Sequence, residues 1–100
     1  MTETAREDTA PVLSRIVTVP NRRGLHARAA AKFVTLAERF ASCVDVVRDD
    51  QVVSSRSIMG LMMLGAGQGA TIEIRAEGWD AKEALEALTG LVEAGFDEQD

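Results

Sequence analysis

Scarcity is the first property of this chain. Its 100 residues hold one cysteine, one histidine, one tryptophan, two prolines and no tyrosine. One cysteine cannot close an internal disulfide, which excludes a stapled secreted mini-protein. One cysteine and one histidine cannot build a zinc site without many carboxylates, so no metal is expected. The length sets a limit as well. A domain of this size buries roughly 60–65% of its unfolded surface, enough for one modest core and little scaffold for a substrate cleft. No stretch approaches about 18 apolar residues, so no membrane insertion is expected. Residues 1–11 carry acids where a signal peptide has a basic region, and they lack an apolar centre. The expected location is therefore cytoplasmic. The same residues are polar and without period, and they read as a flexible N-terminal tail.

What is present belongs to an ordinary globular domain, with 46% apolar and 27% charged residues. The net charge of −5 is unevenly spread. Residues 14–48 carry seven bases (Arg15, Arg22, Arg23, Arg28, Lys32, Arg39, Arg48) against two acids. Residues 77–100 carry Lys82 against eight acids. Such asymmetry fits a solvated helix face, or a basic surface that meets an anion or an acidic partner. Nucleic acid is not expected: the whole chain is acidic, and Phe33 and Phe40 fall at a helical spacing that suits a core.

Periodicity gives the order of elements. Residues 12–19 are β-branched and alternate, as in a strand. Pro20-Asn21-Arg22-Arg23-Gly24 is a turn cluster. Ala30, Phe33, Val34, Ala37, Phe40 and Ala41 then follow a helical period. Residues 43–48 and 51–54 read as a hairpin turning at Asp49-Asp50. Residues 57–64 form a short apolar helix, with Ile58, Leu61 and Leu64 or Met63 expected in the core and Met59 and Met62 partly exposed. Residues 70–76 alternate cleanly, with Ile72, Ile74 and Ala76 on one side. A last helix follows from Ala81, with Asp80 as its N-cap and Glu83 as the capping-box partner. Trp79 is expected to cover the core edge or staple that helix, and Cys43 to be a half-buried filler. The order β-α-β-β-α-β-α with alternating strands predicts an α+β domain over 12–96, with a mostly antiparallel sheet, helices on one face, and an acidic tail over 97–100.

The lone histidine stands at the start of the first helix. Backbone N–H groups there lack partners, and the helix dipole adds positive charge, so that end is a ready anion site. Arg28 lies two residues on and can reach the same anion with charge-assisted bonds. A nucleophilic imidazole inside an anion cradle suggests phosphoryl transfer to His26 itself. A lone histidine is more often a plain capping residue, and the context decides between the two. Gly24-Leu25-His26-Ala27-Arg28-Ala29-Ala30 closely resembles the active-site motif of the histidine-containing phosphocarrier proteins (HPr) of the bacterial phosphoenolpyruvate-dependent phosphotransferase system. Arg56-Ser57-Ile58-Met59-Gly60-Leu61, about 31 residues after the histidine, resembles that family's regulatory segment. The resemblance spans about residues 13–95.

The resemblance implies a fold, a reaction and partners. The fold is an open-faced β-sandwich, a four-stranded sheet with three helices on one face. His26 accepts a phosphoryl group from enzyme I, on Nδ1 as in the family, and passes it to an enzyme IIA domain. Arg28 pairs with the phosphate. Ser57, an N-cap by position, matches the regulatory serine, the target of a kinase/phosphorylase specific to the family. Arg56, Ile58, Met59 and Met62 match partner-facing positions. No cofactor is implied, and a monomer suits a shuttle. Two departures stand out: Ala29 replaces the usual proline after the arginine, and the turn before the histidine is longer than in many sugar-branch members. Altered phosphate geometry or lability is expected from Ala29. The downstream acceptor stays open between sugar uptake and a nitrogen-related regulatory chain. A small binding module without covalent chemistry is the rival from another class.

Overall fold

The computed structural model describes residues 12–98. The expected tail over 1–11 and the last two residues lie outside that range. Four strands form one sheet: β1 (Val12–Thr18), β2 (Cys43–Arg48), β3 (Gln51–Ser54) and β4 (Thr71–Glu77). Their spatial order is β1-β4-β2-β3, and every neighbouring pair is antiparallel. The helices are α1 (Ala27–Ala37), α2 (Ile58–Met63) and α3 (Ala81–Glu93), followed by a 3₁₀ turn, Gly95–Asp97. The α+β open sandwich is as the residues imply. The central place of β4, the last strand in sequence, was not legible from alternation alone.

Alternation sorts each strand into a dry and a wet side. Val17, Val44, Val46, Ile72, Ile74 and Ala76 point inward and are buried. They join Ala30, Phe33, Val34, Leu61, Leu85, Leu88 and Val92 from the helices in one core. The other sheet face carries Val12, Ile16 and Val52 at more than half exposure.

Several local expectations need correction. The helical period predicted through Ala41 outlasts the helix, which ends with Glu38 as its C-cap. Phe40 lies beyond that end and still packs on the core from its loop. Asp80 stands at the N-cap position of α3, but its carboxylate makes no cap hydrogen bond. It accepts instead from the Ala41 N–H at 2.8 Å, the Ser42 N–H at 2.9 Å, and the Ser42 hydroxyl. The capping box is therefore replaced by a tie between the α1–β2 loop and the start of α3. The Ser42 hydroxyl bond holds the Asp80 carboxyl below its usual range; burial opposes this, and the two loop N–H groups add to it. Trp79 does not cover the core, being 83% exposed. Cys43 is exposed too, because it sits on the wet side of β2. Ile58 is 40% exposed and Met63 67%, so only Leu61 and Leu64 carry the inner side of the α2 segment.

Candidate functional site

Two loops meet at the start of α1. The first, after β1, is held by backbone bonds: Val19 N–H donates to Ala70 O at 2.8 Å, and Leu25 N–H to Ala66 O at 2.9 Å. Gly24 makes that approach possible. Its φ is +66°, and a Cβ there would stand 2.4 Å from the Ala66 carbonyl oxygen. Buried Asn21 closes the loop, with its amide donating to the Gly24 carbonyl at 2.9 Å. The second loop follows α2, where Arg48 donates to the Leu64 carbonyl at 2.8 Å. Their packing leaves a hollow of about 290 Å³ lined by Arg23, Leu25, His26, Met62 and Gly65 to Gly67.

His26 is the N-cap of α1, with extended φ and ψ of −75° and 178°. Its Nδ1 accepts the Arg28 backbone N–H at 3.2 Å. On the other edge of the ring, Nε2 meets the Glu98 carboxylate in a short contact. The second Glu98 oxygen accepts from the Asn21 amide at 3.0 Å. Burial pushes the Glu98 carboxyl up, yet the hydrogen bonds from His26 and Asn21, with the electrostatic pull of His26 and then Arg23, outweigh it and hold the carboxyl below its usual range. An ionised carboxylate can only accept, so Nε2 carries the proton. The Arg28 N–H can only donate, so Nδ1 offers its lone pair. Both neighbours demand the same tautomer, with the proton on Nε2 and the lone pair on Nδ1.

The other candidates fall around this point. Arg28 is exposed on the first turn of α1 and lines a groove of about 480 Å³ with Lys32, Thr35, Arg39 and Leu91. It does not line the hollow of His26. Ser57 is the N-cap of α2: its Oγ accepts the Gly60 N–H at 2.8 Å. Arg56 is exposed just before it. Met59 is 67% and Met62 41% exposed, and Met62 shares the hollow with His26. Glu98 and Asn21 were not singled out from the sequence. A lone Glu in an acidic terminal run gives no local signal that it reaches a histidine 72 positions away. Among the described residues no cluster of three potential ligands could hold a metal, and no helix is long and apolar enough to cross a membrane.

The result is a small open sandwich that shows one imidazole at a helix start, beside exposed apolar side chains and a shallow hollow. Comparison with known proteins places it more closely. Residues 13–94 match the family model described as the PTS HPr component phosphorylation site. The chain is similar to the phosphocarrier protein NPr of Shewanella violacea, 45% identical over 86% of this chain and 94% of that one. It is equally similar to the phosphocarrier protein HPr of Cupriavidus necator, 45% identical over 87% of this chain and 98% of that one. Its fold matches the crystal structure of an HPr from Thermoanaerobacter tengcongensis with a TM-score of 0.83 and 42% identity, covering 88% of this chain and 99% of that one. The chain belongs to the HPr family, the phosphocarriers of the phosphotransferase system.

Proposed function

We propose that His26 accepts a phosphoryl group from a phosphorylated enzyme I and passes it to an enzyme IIA domain in the cytoplasm. The observation that carries this reading is the ring's pair of neighbours: the Arg28 N–H on Nδ1 and Glu98 on Nε2 leave one nitrogen with a lone pair, at the positive end of α1. Once Nδ1 takes the phosphoryl group, the Arg28 N–H loses its nitrogen acceptor and gains a phosphoryl oxygen. The Arg28 guanidinium, exposed on the same turn, can swing from its groove to the same anion. The contacts orient the group without enclosing it, which keeps it available to the next acceptor. Arg56, Ile58, Met59 and Met62 form the docking surface beside it, where exposed methionine adapts to more than one partner. Ser57 is proposed as a regulatory phosphosite; a family kinase that labels Ser55 and leaves Ser57 unmodified would reject that assignment. The carrier works as a monomer, which sedimentation at transfer concentrations checks.

The chain resembles the NPr and HPr relatives to the same degree, so the branch, nitrogen-regulatory or sugar-uptake, is decided by partners. Incubation with phosphoenolpyruvate and a cognate enzyme I tests the central claim. Wild type is expected to gain about one acid-labile phosphate and His26→Ala none. A wild-type protein that stays unmodified sinks the carrier reading and leaves a non-covalent binding module.

A further inference from the structure

After α3 the backbone takes a shape that side chains rarely adopt. Gly95, Phe96 and Asp97 follow one another with φ of 65°, 58° and 61°. Glycine takes that region freely, whereas phenylalanine and aspartate reach it only against steric resistance at Cβ. Two interactions hold the turn there. The Phe96 ring is fully buried in the core. Lys32, from the middle of α1, donates to the Phe96 carbonyl at 2.7 Å. The residue this turn delivers is Glu98. One of its oxygens meets His26 Nε2 and the other the Asn21 amide, and that amide also braces Gly24 two residues before the histidine. A single carboxylate thus ties the segment after α3 to the ring and to the loop that carries it.

We infer that Glu98 is a positioning residue for phosphoryl transfer at His26. It fixes the ring with the proton on Nε2, and it faces the positive charge the ring gains on phosphorylation. The inference rests on the reading of His26 as the acceptor. In the transfer, the Nδ1 lone pair attacks the phosphorus of a donor phosphohistidine. The donor N–P bond breaks, its electron pair returns to the donor ring, and a new Nδ1–P bond forms. The Nε2 proton stays where it is, so no base has to remove one. The ring becomes cationic, and the ionised Glu98 balances it in a partly dry site. A cationic ring is also the better leaving group, so the same contact serves the onward transfer. The logic is that of an acid that orients a histidine and supports its charge without itself becoming protonated.

Glu98→Gln keeps the shape and an acceptor oxygen but removes the charge. The test compares wild type with this variant by two readouts, with a melting curve confirming that both are folded. Long-range nitrogen–proton spectra of the unphosphorylated protein report the His26 tautomer: wild type is expected to show Nε2–H alone, and Glu98→Gln a mixture. Phosphoryl acceptance is timed with enzyme I and also with phosphoramidate, a small donor that needs no docking. The variant is expected to be slower with both by about tenfold, the scale of a lost orienting contact. If wild type is phosphorylated by neither donor, the reading of His26 fails. If wild type is phosphorylated and the variant matches it in tautomer and in rate to within about twofold, the role of Glu98 fails and the carrier reading stands.

Discussion

Residues differ in how far their roles extend along the chain, and this governs what a sequence discloses. The roles proposed for His26, Arg28 and Ser57 lie within their own turns. A histidine before a helix, an arginine two on and a serine at a second helix start are recognisable where they stand. Asp80 also looked local, as a cap, yet its carboxylate serves the Ala41–Ser42 backbone on another loop. The physical reason is competition: a carboxylate takes the strongest set of donors within reach, and here two N–H groups and a hydroxyl from across the fold exceed what its own helix offers. The pH consequence follows from the sign of the shift. The folded carboxyl sits below its ordinary pKa, so its contribution is full above the unfolded value. It is lost as pH falls through the folded value, in the acid range beneath the ordinary aspartate pKa of about 3.9. Asp80→Asn is expected to lower the melting temperature at neutral pH and to narrow the gap to wild type as pH falls through that window. A gap that stays constant from neutral pH to the bottom of the acid limb would show that the charge of Asp80 contributes nothing.

Short elements show the same division between pattern and context. The strands were legible because one wet and one dry face force alternation. The six-residue α2 was legible as apolar, with Leu61 and Leu64 inward and Met59 and Met62 outward as expected, but Ile58 was misplaced in the core. A helix of under two turns buries one side only, so Leu61 with Leu64 takes the core and Ile58, Met59, Met62 and Met63 remain outside. The 3₁₀ turn was not legible: Gly95 suits a left-handed position, but Phe96 takes the same region against its propensity with its ring buried in the core. At the head of α2, Ser57 combines a structural and a proposed regulatory role, and two substitutions separate them. Ser57→Ala removes the acceptor of the Gly60 N–H and is expected to cost about 1 kcal/mol of stability. Ser57→Asp keeps an N-cap acceptor and places an anion at a favourable helix end, so stability should stay near wild type. The same anion sits beside the exposed Ile58–Met59 ledge, and phosphoryl transfer from enzyme I should slow. Equal transfer rates in Ser57→Asp and wild type would remove the charge of this position from regulation, whatever its effect on the fold.

At the scale of the whole molecule, the net charge of −5 misdescribes the surface proposed to meet partners. Arg28, Lys32 and Arg39 line one groove along α1, and Arg23 lines the hollow at His26, whereas α3 carries Glu83, Glu86 and Glu93. The charge split was visible in the order of residues; that Arg28, Lys32 and Arg39 share one groove with Leu91 of α3, apart from the hollow at His26, was not. Docking at this surface, as proposed above, would have two components with opposite responses to salt. Charge attraction weakens as the screening length shrinks from about 10 Å at 0.1 M to about 3 Å at 1 M. Contact through Ile58, Met59 and Met62 does not weaken, and strongly excluded salts strengthen it. Which dominates is decided by which step limits encounter. Long-range attraction steers diffusion, while the apolar ledge acts only after contact. Raising sodium chloride from 0.1 to 1 M is therefore expected to raise the KM of enzyme I for this carrier by about tenfold, with kcat nearly unchanged. Lys32 on α1 and Arg39 just past its C-cap share the groove away from the ring, so Arg39→Glu should reproduce much of that rise at low salt and blunt any further effect. A KM that stays flat across the salt range would assign docking to the apolar ledge alone, and the basic face of α1 would then have no part in choosing the partner.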